Sequence, residues 1–259
     1  MKLNCPKCNQ PLIKVEKTCK CQNKHSYDFA KEGYINLLLG ESGVHGDDAQ
    51  MVKARTSFLN TESYLFLRDF LCELVAKENT NILLDLGCGE GYYTSSFDAK
   101  EKYGFDLSKS ALKYAAKHDK TTQYVVSSIF HIPMDNEVAD TIVTCFAPIA
   151  SNEIERLLKE NGCFIVVTPD ENHLIELKEL LYQEAYKNEV KELELSLKKE
   201  KEFHVSQEFD VDTEHLISLF QMTPYAYKTD IYALNKLQEV KEMKITASFV
   251  IRLYRKSSL

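Results

Sequence analysis

The sequence predicts an α/β protein: an open, mostly parallel sheet flanked by helices, preceded by a small metal-binding module. Three observations carry this. The apolar run Asn81-Ile82-Leu83-Leu84-Asp85-Leu86 breaks into the glycine-studded turn Gly87-Cys88-Gly89-Glu90-Gly91 ahead of a helical pattern. Further apolar runs follow at the spacing of βα units and end in acidic, hydroxyl-bearing or proline residues. Four of the eight cysteines fall within the first 21 residues. At 259 residues and 44% hydrophobic, the chain is long enough to bury one large core and a small second one.

The amino-terminal elements come first. Cys5-Pro6-Lys7-Cys8 is a knuckle, two thiolates that bind one tetrahedral ion from a tight turn. Two of Cys19, Cys21 and His25 complete the set. Cys21-x-x-x-His25 has a spacing common in structural zinc sites, whereas Cys19-x-Cys21 needs a tighter chelate, so Cys5, Cys8, Cys21 and His25 are favoured over the four-cysteine set. Four protein ligands leave no open position, so the zinc is expected to be structural. A module this short needs the metal's binding energy to fold. Residues 1–34 hold seven lysines against three acids, a charge of +4 in a chain of −7, which leaves −11 for the remainder. A basic appendage on an acidic body suits a polyanionic partner, though solvated lysines on a small polar module account for it equally. Tyr27, Phe29 and Tyr34 either stack on unpaired bases or form the core of a ribbon, with packing favoured.

The expected organisation is a zinc-binding, RNA-recognition module over residues 1–38, a linker and lead-in helix over 39–60, and a second domain over 61–259. Gly40-Glu41-Ser42-Gly43-Val44-His45-Gly46-Asp47-Asp48 is the linker, with three glycines and no apolar periodicity. Residues 51–60 and 63–77 have helical spacing, and Tyr64 begins the apolar face of the second helix.

The sheet follows. Glycines at alternate positions of Gly87-x-Gly89-x-Gly91 let the backbone take positive φ and lie against a ligand. This spacing is not the dinucleotide fingerprint. It matches the loop of class I S-adenosylmethionine-dependent methyltransferases, whose sheet is Rossmann-like. A second strand, Lys102-Tyr103-Gly104-Phe105-Asp106, ends in an acid about 20 residues on, where a ribose-binding carboxylate is expected. A third run ends in Ser127 and Ser128, hydroxyls suited to an adenine edge. A fourth, residues 140–146, stops at Ala147-Pro148, because proline cannot donate to a ladder. The candidate cofactor-binding residues are Tyr64, Asp85, Gly87, Gly89, Gly91, Tyr92, Asp106, Leu107, Ser127, Ser128 and Phe146. The catalytic candidates are Phe146, Ala147, Pro148 and His173, and Asp47, Asp48 and Asp170 are further carboxylates considered as bases, without a feature that selects among them. A fifth strand is expected over 163–168, a helix over 174–186, and a last strand over 244–256 paired near 208–211. Residues 187–202, dense in Lys and Glu, suggest a solvated helix or loop. Tyr225 and Tyr227, after Thr223-Pro224, either wall a base pocket or pack.

No apolar run approaches the roughly 20 residues that span a bilayer, and the start lacks the apolar core of a signal peptide. The expectation is a cytoplasmic protein without a membrane partner.

Together these residues carry a resemblance. The zinc ligands in their spacing, Ala30-Lys31-Glu32-Gly33-Tyr34-Ile35-Asn36-Leu37-Leu38, Gly46-Asp47-Asp48 with Met51, Ala54-Arg55 and Phe58-Leu59, and Gln221-Met222-Thr223-Pro224 are similar to the bacterial 23S rRNA guanine-N1 methyltransferases. Asp85-Leu86-Gly87-Cys88-Gly89-Glu90-Gly91-Tyr92-Tyr93-Thr94, Ala147-Pro148 and His173-Leu174-x-Glu176-Leu177-Lys178 match as well. Some Gram-positive members confer macrolide resistance. The resemblance implies S-adenosylmethionine and structural zinc as cofactors, 23S rRNA as partner, and a homodimer as a further expectation. It implies methylation of N1 of one guanine in a hairpin of domain II, in the region of positions 745 and 748 near the macrolide site. It also implies Cys5, Cys8, Cys21 and His25 as the zinc ligands, leaving Cys19 a spare thiol. The chain departs from the family at Phe146, where tyrosine is frequent, which removes any role for that hydroxyl. Tyr225 and Tyr227 keep aromatic character at their positions.

Overall fold

A computed structural model describes residues 1–40, 46–182, 184–227 and 231–257. Residues 41–45 of the glycine-rich linker and the side chain of Tyr227 lie outside what it describes. Strands β1 (Ile13–Val15), β2 (Thr18–Lys20) and β3 (Ser26–Asp28) form an antiparallel ribbon, and β4 (Ile35–Asn36) follows it. Helices α1 (Ala49–Leu59) and α2 (Leu65–Lys77) lead into β5 (Ile82–Leu86), β6 (Glu101–Asp106), α3 (Lys109–His118), β7 (Thr122–Val126) and β8 (Ala139–Cys145). The chain continues through α4 (Ser151–Leu157), β9 (Leu158–Pro169), α5 (Ile175–Leu181), β10 (Lys198–Asp212), α6 (Thr213–Gln221), α7 (Ile231–Glu239) and β11 (Glu242–Arg255). A short 3-10 turn, Pro224–Tyr227, follows α6.

Eight strands make one sheet in the order β10-β11-β9-β8-β5-β6-β7-β4. Its central strands are parallel, and β11 runs antiparallel between β9 and β10. The chain leaves β5 for β6 and β7 on one side, then crosses back to β8 and β9 on the other. That reversal opens a crevice at the carboxyl ends of β5 and β8, where α/β sheets bind ligands. Helices and loops cover both faces of β5, so all five of its residues are buried. Its alternation divides the core. Leu83 joins Phe58, Leu67, Leu71 and Phe249 on one face, and Ile82, Leu84 and Leu86 join Phe105, Ile142 and Phe164 on the other.

The amino-terminal ribbon is packed onto this sheet. Strand β4, which follows the ribbon, pairs in parallel with β7 and covers that edge, with Ile35 opposite Val125. Leu3, Leu12 and Leu37 share the core of Ile82 and Phe105, and the Asn4 amide donates to the Pro133 carbonyl at 2.7 Å. Tyr34 packs against the cluster of Leu112 and Tyr124, and Phe29 lies under the Lys14 ammonium at 4.8 Å. These aromatic residues pack, as the residue types favoured.

At the opposite edge the structure departs from expectation. Residues 198–202 are neither helix nor loop but the start of β10, paired along its length with β11. Phe203, Val205 and Phe209 pack on the core from alternate positions, while Lys199, Lys201, Glu202 and Glu208 crowd the rest. Dense charge is what keeps an edge strand from pairing with another chain, and period 2 is hidden where nearly every residue is charged. The helix expected over 174–186 ends at Leu181. Among the described residues no helix is long and apolar enough to cross a membrane.

Candidate active site and zinc centre

A cleft of about 660 Å³ opens at the carboxyl ends of β5 and β8, within the range of small-molecule sites. Its floor is the glycine turn. Gly87 has φ +83°, and a Cβ there would stand 2.4 Å from the Ala147 Cβ, so only glycine lets the ends of β5 and β8 approach this closely. Gly91 is held as tightly, its virtual Cβ falling 2.5 Å from the Tyr124 hydroxyl.

Two carboxylates frame the floor. Asp106, at the end of β6, accepts from the Gly89 amide at 2.9 Å on one oxygen and from the Ser108 amide at 2.8 Å on the other. One backbone donor per oxygen fixes the carboxylate and leaves lone pairs for a diol; burial raises its pKa. Asp85 is more deeply placed. The Thr94 hydroxyl donates to one of its oxygens at 2.5 Å, and the other oxygen is buried without a partner among the described residues. Burial pushes its pKa up to about 7. The hydroxyls of Tyr64 and Tyr93 are also buried and have no partner among the described residues. Native interiors rarely leave three such atoms unsatisfied at one place, so the cleft is built for a polar ligand.

Helix α1 forms the near wall. The Asp48 carboxylate caps it by accepting from the amides of Gln50 and Met51 at 2.9 and 2.8 Å. Arg55 pairs with Asp47 and, at 3.5 Å, with Glu90 in the glycine turn, tying the helix to the floor. The far wall is aromatic. Phe146, just beyond β8, has φ +59°, a costly conformation for a bulky residue that turns the chain sharply at the strand end. Its ring lies 5.3 Å from that of Phe249, which in turn is 5.2 Å from Tyr64 and 4.6 Å from His173. No donor among the described residues reaches the carbonyl oxygens of Phe146 or Ala147.

Of the residues singled out by sequence, Tyr64, Asp85, Gly87, Gly89, Asp106, Leu107, Ser128, Phe146, Ala147, Pro148 and His173 line this cleft. Three others do not. Gly91 and Tyr92 line a separate depression of about 170 Å³, where the Arg68 guanidinium lies 5.0 Å from the Tyr92 ring centre. Ser127 is buried and donates within its own turn to the carbonyls of Ser128 and His131. Among the carboxylates, Asp47 lines the cleft but is paired, and Asp48 is spent on its cap. Asp170 lies outside the lining, accepting from Ser248 and His204. Sequence reasoning missed Tyr93, Arg55, Glu90, Ile129, Phe130 and Phe249. Tyr93 follows the glycine turn as directly as Tyr92, and only the course of the turn separates them; Phe249 sits mid-strand far along the chain and carries no local signal.

The second centre is in the ribbon. Cys5, Cys8, Cys21 and His25 bring their ligand atoms within 4.8 Å of one another. The Cys8 and Cys21 sulfurs are 3.7 Å apart, and His25 Nδ1 lies 3.3 and 3.5 Å from the sulfurs of Cys5 and Cys21. A tetrahedral zinc with Zn–S near ~2.3 Å requires ligand separations of about 3.5–3.8 Å, so the donors fit. Cys19 points elsewhere, its sulfur 3.9 Å from that of Met1.

Comparison with known proteins decides the family. Residues 3–39 match the model for the amino-terminal zinc ribbon of RlmA, and residues 77–236 match that of a methyltransferase domain. The chain is 31% identical over 188 residues to the 23S rRNA (guanine(748)-N(1))-methyltransferase of Streptomyces fradiae, covering 69% of this chain and 67% of that one. The chain belongs to the 23S rRNA guanine-N1 methyltransferase family. A Micromonospora griseorubida protein named for the same activity is 30% identical, with 69% of each chain covered. YxjB of Bacillus subtilis, also so named, is 27% identical across 93% of both chains. The enzyme thus joins an S-adenosylmethionine-dependent methyltransferase domain to a structural zinc ribbon.

Proposed function

We propose that the enzyme methylates N1 of one guanine in a hairpin of domain II of 23S rRNA, in the region of positions 745 and 748 beside the macrolide site, and so works in the cytoplasm. The observation that carries this reading is the pairing of a basic zinc ribbon with the cleft on one sheet. Lys7, Lys14, Lys17, Lys20 and Lys24 are all exposed on the ribbon, where cations meet phosphates. The guanine named for the Streptomyces fradiae relative supports the position. Residues 1–38 would then be the recognition module and 61–259 the catalytic domain.

The residues divide the work by their chemistry. Asp106 accepts from the two ribose hydroxyls of the cofactor, and the amides and open backbone of Gly87 and Gly89 let it lie close. Asp85 turns its unpartnered oxygen to the α-ammonium. Ser128 and Ile129 border the adenine. When bound, S-adenosylmethionine supplies a methyl already activated on a sulfonium, so the protein's task is to hold N1 in line with it. N1 is paired inside a duplex, so the base must come from a loop or be flipped out. The carbonyls of Phe146 and Ala147 then accept from the 2-amino group, and the aromatic wall of Phe146 and Phe249 holds the base.

Primer extension on 23S rRNA from a strain lacking the gene tests the proposal. The expected result is the loss of one reverse-transcriptase stop at a domain II guanine, restored by the intact gene. An unchanged pattern of stops would overturn it.

A further inference from the structure

Among the described residues His173 is the one imidazole in the cleft wall, and its two nitrogens are in different states. The Ser248 amide donates to Nδ1 at 3.2 Å, so Nδ1 presents a lone pair and the ring proton sits on Nε2. Among the described residues nothing accepts from Nε2. The ring is buried and packs at a tilt of 46° with its centre 4.6 Å from that of Phe249, whose ring also lies 5.3 Å from Phe146. Phe249 thus touches both the imidazole and Phe146, and His173 lines the same cleft as Phe146 and Ala147, whose carbonyls accept from no donor among the described residues.

We propose that His173 is a catalytic hydrogen-bond donor, whose Nε2–H meets O6 of the target guanine and stabilises the charge that gathers there as N1 loses its proton. This rests on the guanine-N1 reading above. The transfer forms the N1–carbon bond and breaks the carbon–sulfur bond, whose electron pair stays on sulfur, while the N1 proton passes to water. Loss of that proton makes the base an anion with its charge shared between N1 and O6, and O6 is adjacent to N1 on the same edge. A donor aimed at O6 therefore strengthens its bond as the reaction advances, which is how an oxyanion site lowers a barrier.

A base is the competing role, and the geometry opposes it. The lone pair that would take a proton is already occupied by the Ser248 amide, and protonation would set two N–H groups against each other. Burial, with Lys178 nearby, pushes the pKa down to about 3, so the ring is neutral wherever the enzyme works. The charged groups around it are Lys178 and Asp170, and Asp170 is held by His204 and Ser248. A neutral imidazole fixed in one tautomer acts as an electrophilic donor without competing for the proton.

The test is single-turnover methylation of unmodified 23S rRNA by the full-length, zinc-loaded protein. His173→Phe, which fills the same space against Phe249, is expected to lose ~10²-fold in rate, the usual cost of one oxyanion donor. Its calorimetric affinity for S-adenosylmethionine should stay at the wild-type value, while its melting temperature should fall by the cost of a Ser248 amide left without its acceptor, a fall that His173→Gln, whose side-chain oxygen can accept, should reduce. His173→Gln, whose amide restores an N–H near Nε2, should recover at least part of the rate. The rate profiles of the wild type and His173→Phe against pH should run parallel, because no ionising group is lost. With the unaltered protein, a transcript carrying 6-thioguanine at the target should react more slowly and one carrying 7-deazaguanine normally. An undiminished His173→Phe rate, a flattened pH profile in that variant, or a loss with 7-deazaguanine and none with 6-thioguanine would overturn the role. No N1-methylguanine from the wild type would overturn it together with the reading on which it rests.

Discussion

Replacing Asp85 by asparagine should make the cofactor-free enzyme more stable at pH 8 and less able to bind its cofactor. In the native state one Asp85 oxygen accepts from Thr94 and the other has no partner among the described residues, and burial raises the pKa to about 7. In the unfolded chain the group titrates near ~3.9. The native state therefore holds a proton that the unfolded state has lost between these values. The stability it contributes is fully present below about pH 4 and is lost as pH rises through about 7. Three pH decades at ~1.4 kcal/mol each amount to about 4 kcal/mol of destabilisation at pH 8, and roughly 1.5 kcal/mol remains at pH 5. The asparagine escapes this ionisation but buries an amide N–H without an acceptor, which costs ~1–3 kcal/mol. The balance favours Asp85→Asn by ~1–3 kcal/mol at pH 8, some 2–10 °C in melting temperature, and vanishes or reverses at pH 5. Thermal melts from pH 5 to 8, with and without S-adenosylmethionine, measure both effects. The cofactor should raise the wild-type midpoint and leave that of Asp85→Asn almost unmoved. A variant whose advantage is the same at every pH, or which binds the cofactor as tightly as the wild type, would refute the reasoning.

Further outcomes follow from the same geometry. Gly87→Ala places a Cβ 2.4 Å from that of Ala147 in a left-handed conformation, and is expected to cost ~2–5 kcal/mol in stability and at least tenfold in cofactor affinity, read by melting and calorimetry. Cys8→Ser should lose the zinc and lower the melting temperature, whereas Cys19→Ser should retain one zinc per chain by elemental analysis. Charge reversal at Lys14, Lys17 and Lys20 together should weaken rRNA binding at least tenfold and flatten its salt dependence, with cofactor affinity unchanged in calorimetry.

Much of this molecule was legible because its signals are local. The glycine turn, the acid about 20 residues on and the Pro148 stop each state their chemistry within a few residues, and the four zinc ligands lie in two short turns. Other features have no local expression. The first residues of β10, 198–202, looked like solvated charge because an edge strand is made safe by the same lysines and glutamates that mark a loop, whereas its pairing with the last strand near 208–211 was legible. Tyr92 and Tyr93 were indistinguishable by type, and the path of the turn sent one to the cleft and the other to a different depression.

By itself the sequence determined the cofactor class, the presence of a zinc-binding knuckle and the succession of βα units along the chain, since each is written in residue spacing that the backbone must follow, while the choice of Cys21 and His25 over Cys19 and the family came from the resemblance of whole motifs. Only the tertiary structure decided what the groups in the cleft are free to do. It withdrew Asp170 and Asp48 as bases by engaging them elsewhere, left one oxygen of Asp85 unpaired, and fixed the proton of His173 on Nε2 through an amide 75 positions away in sequence. Hydrogen-bonding state depends on which partners long-range packing delivers, and no residue's neighbours in sequence specify that.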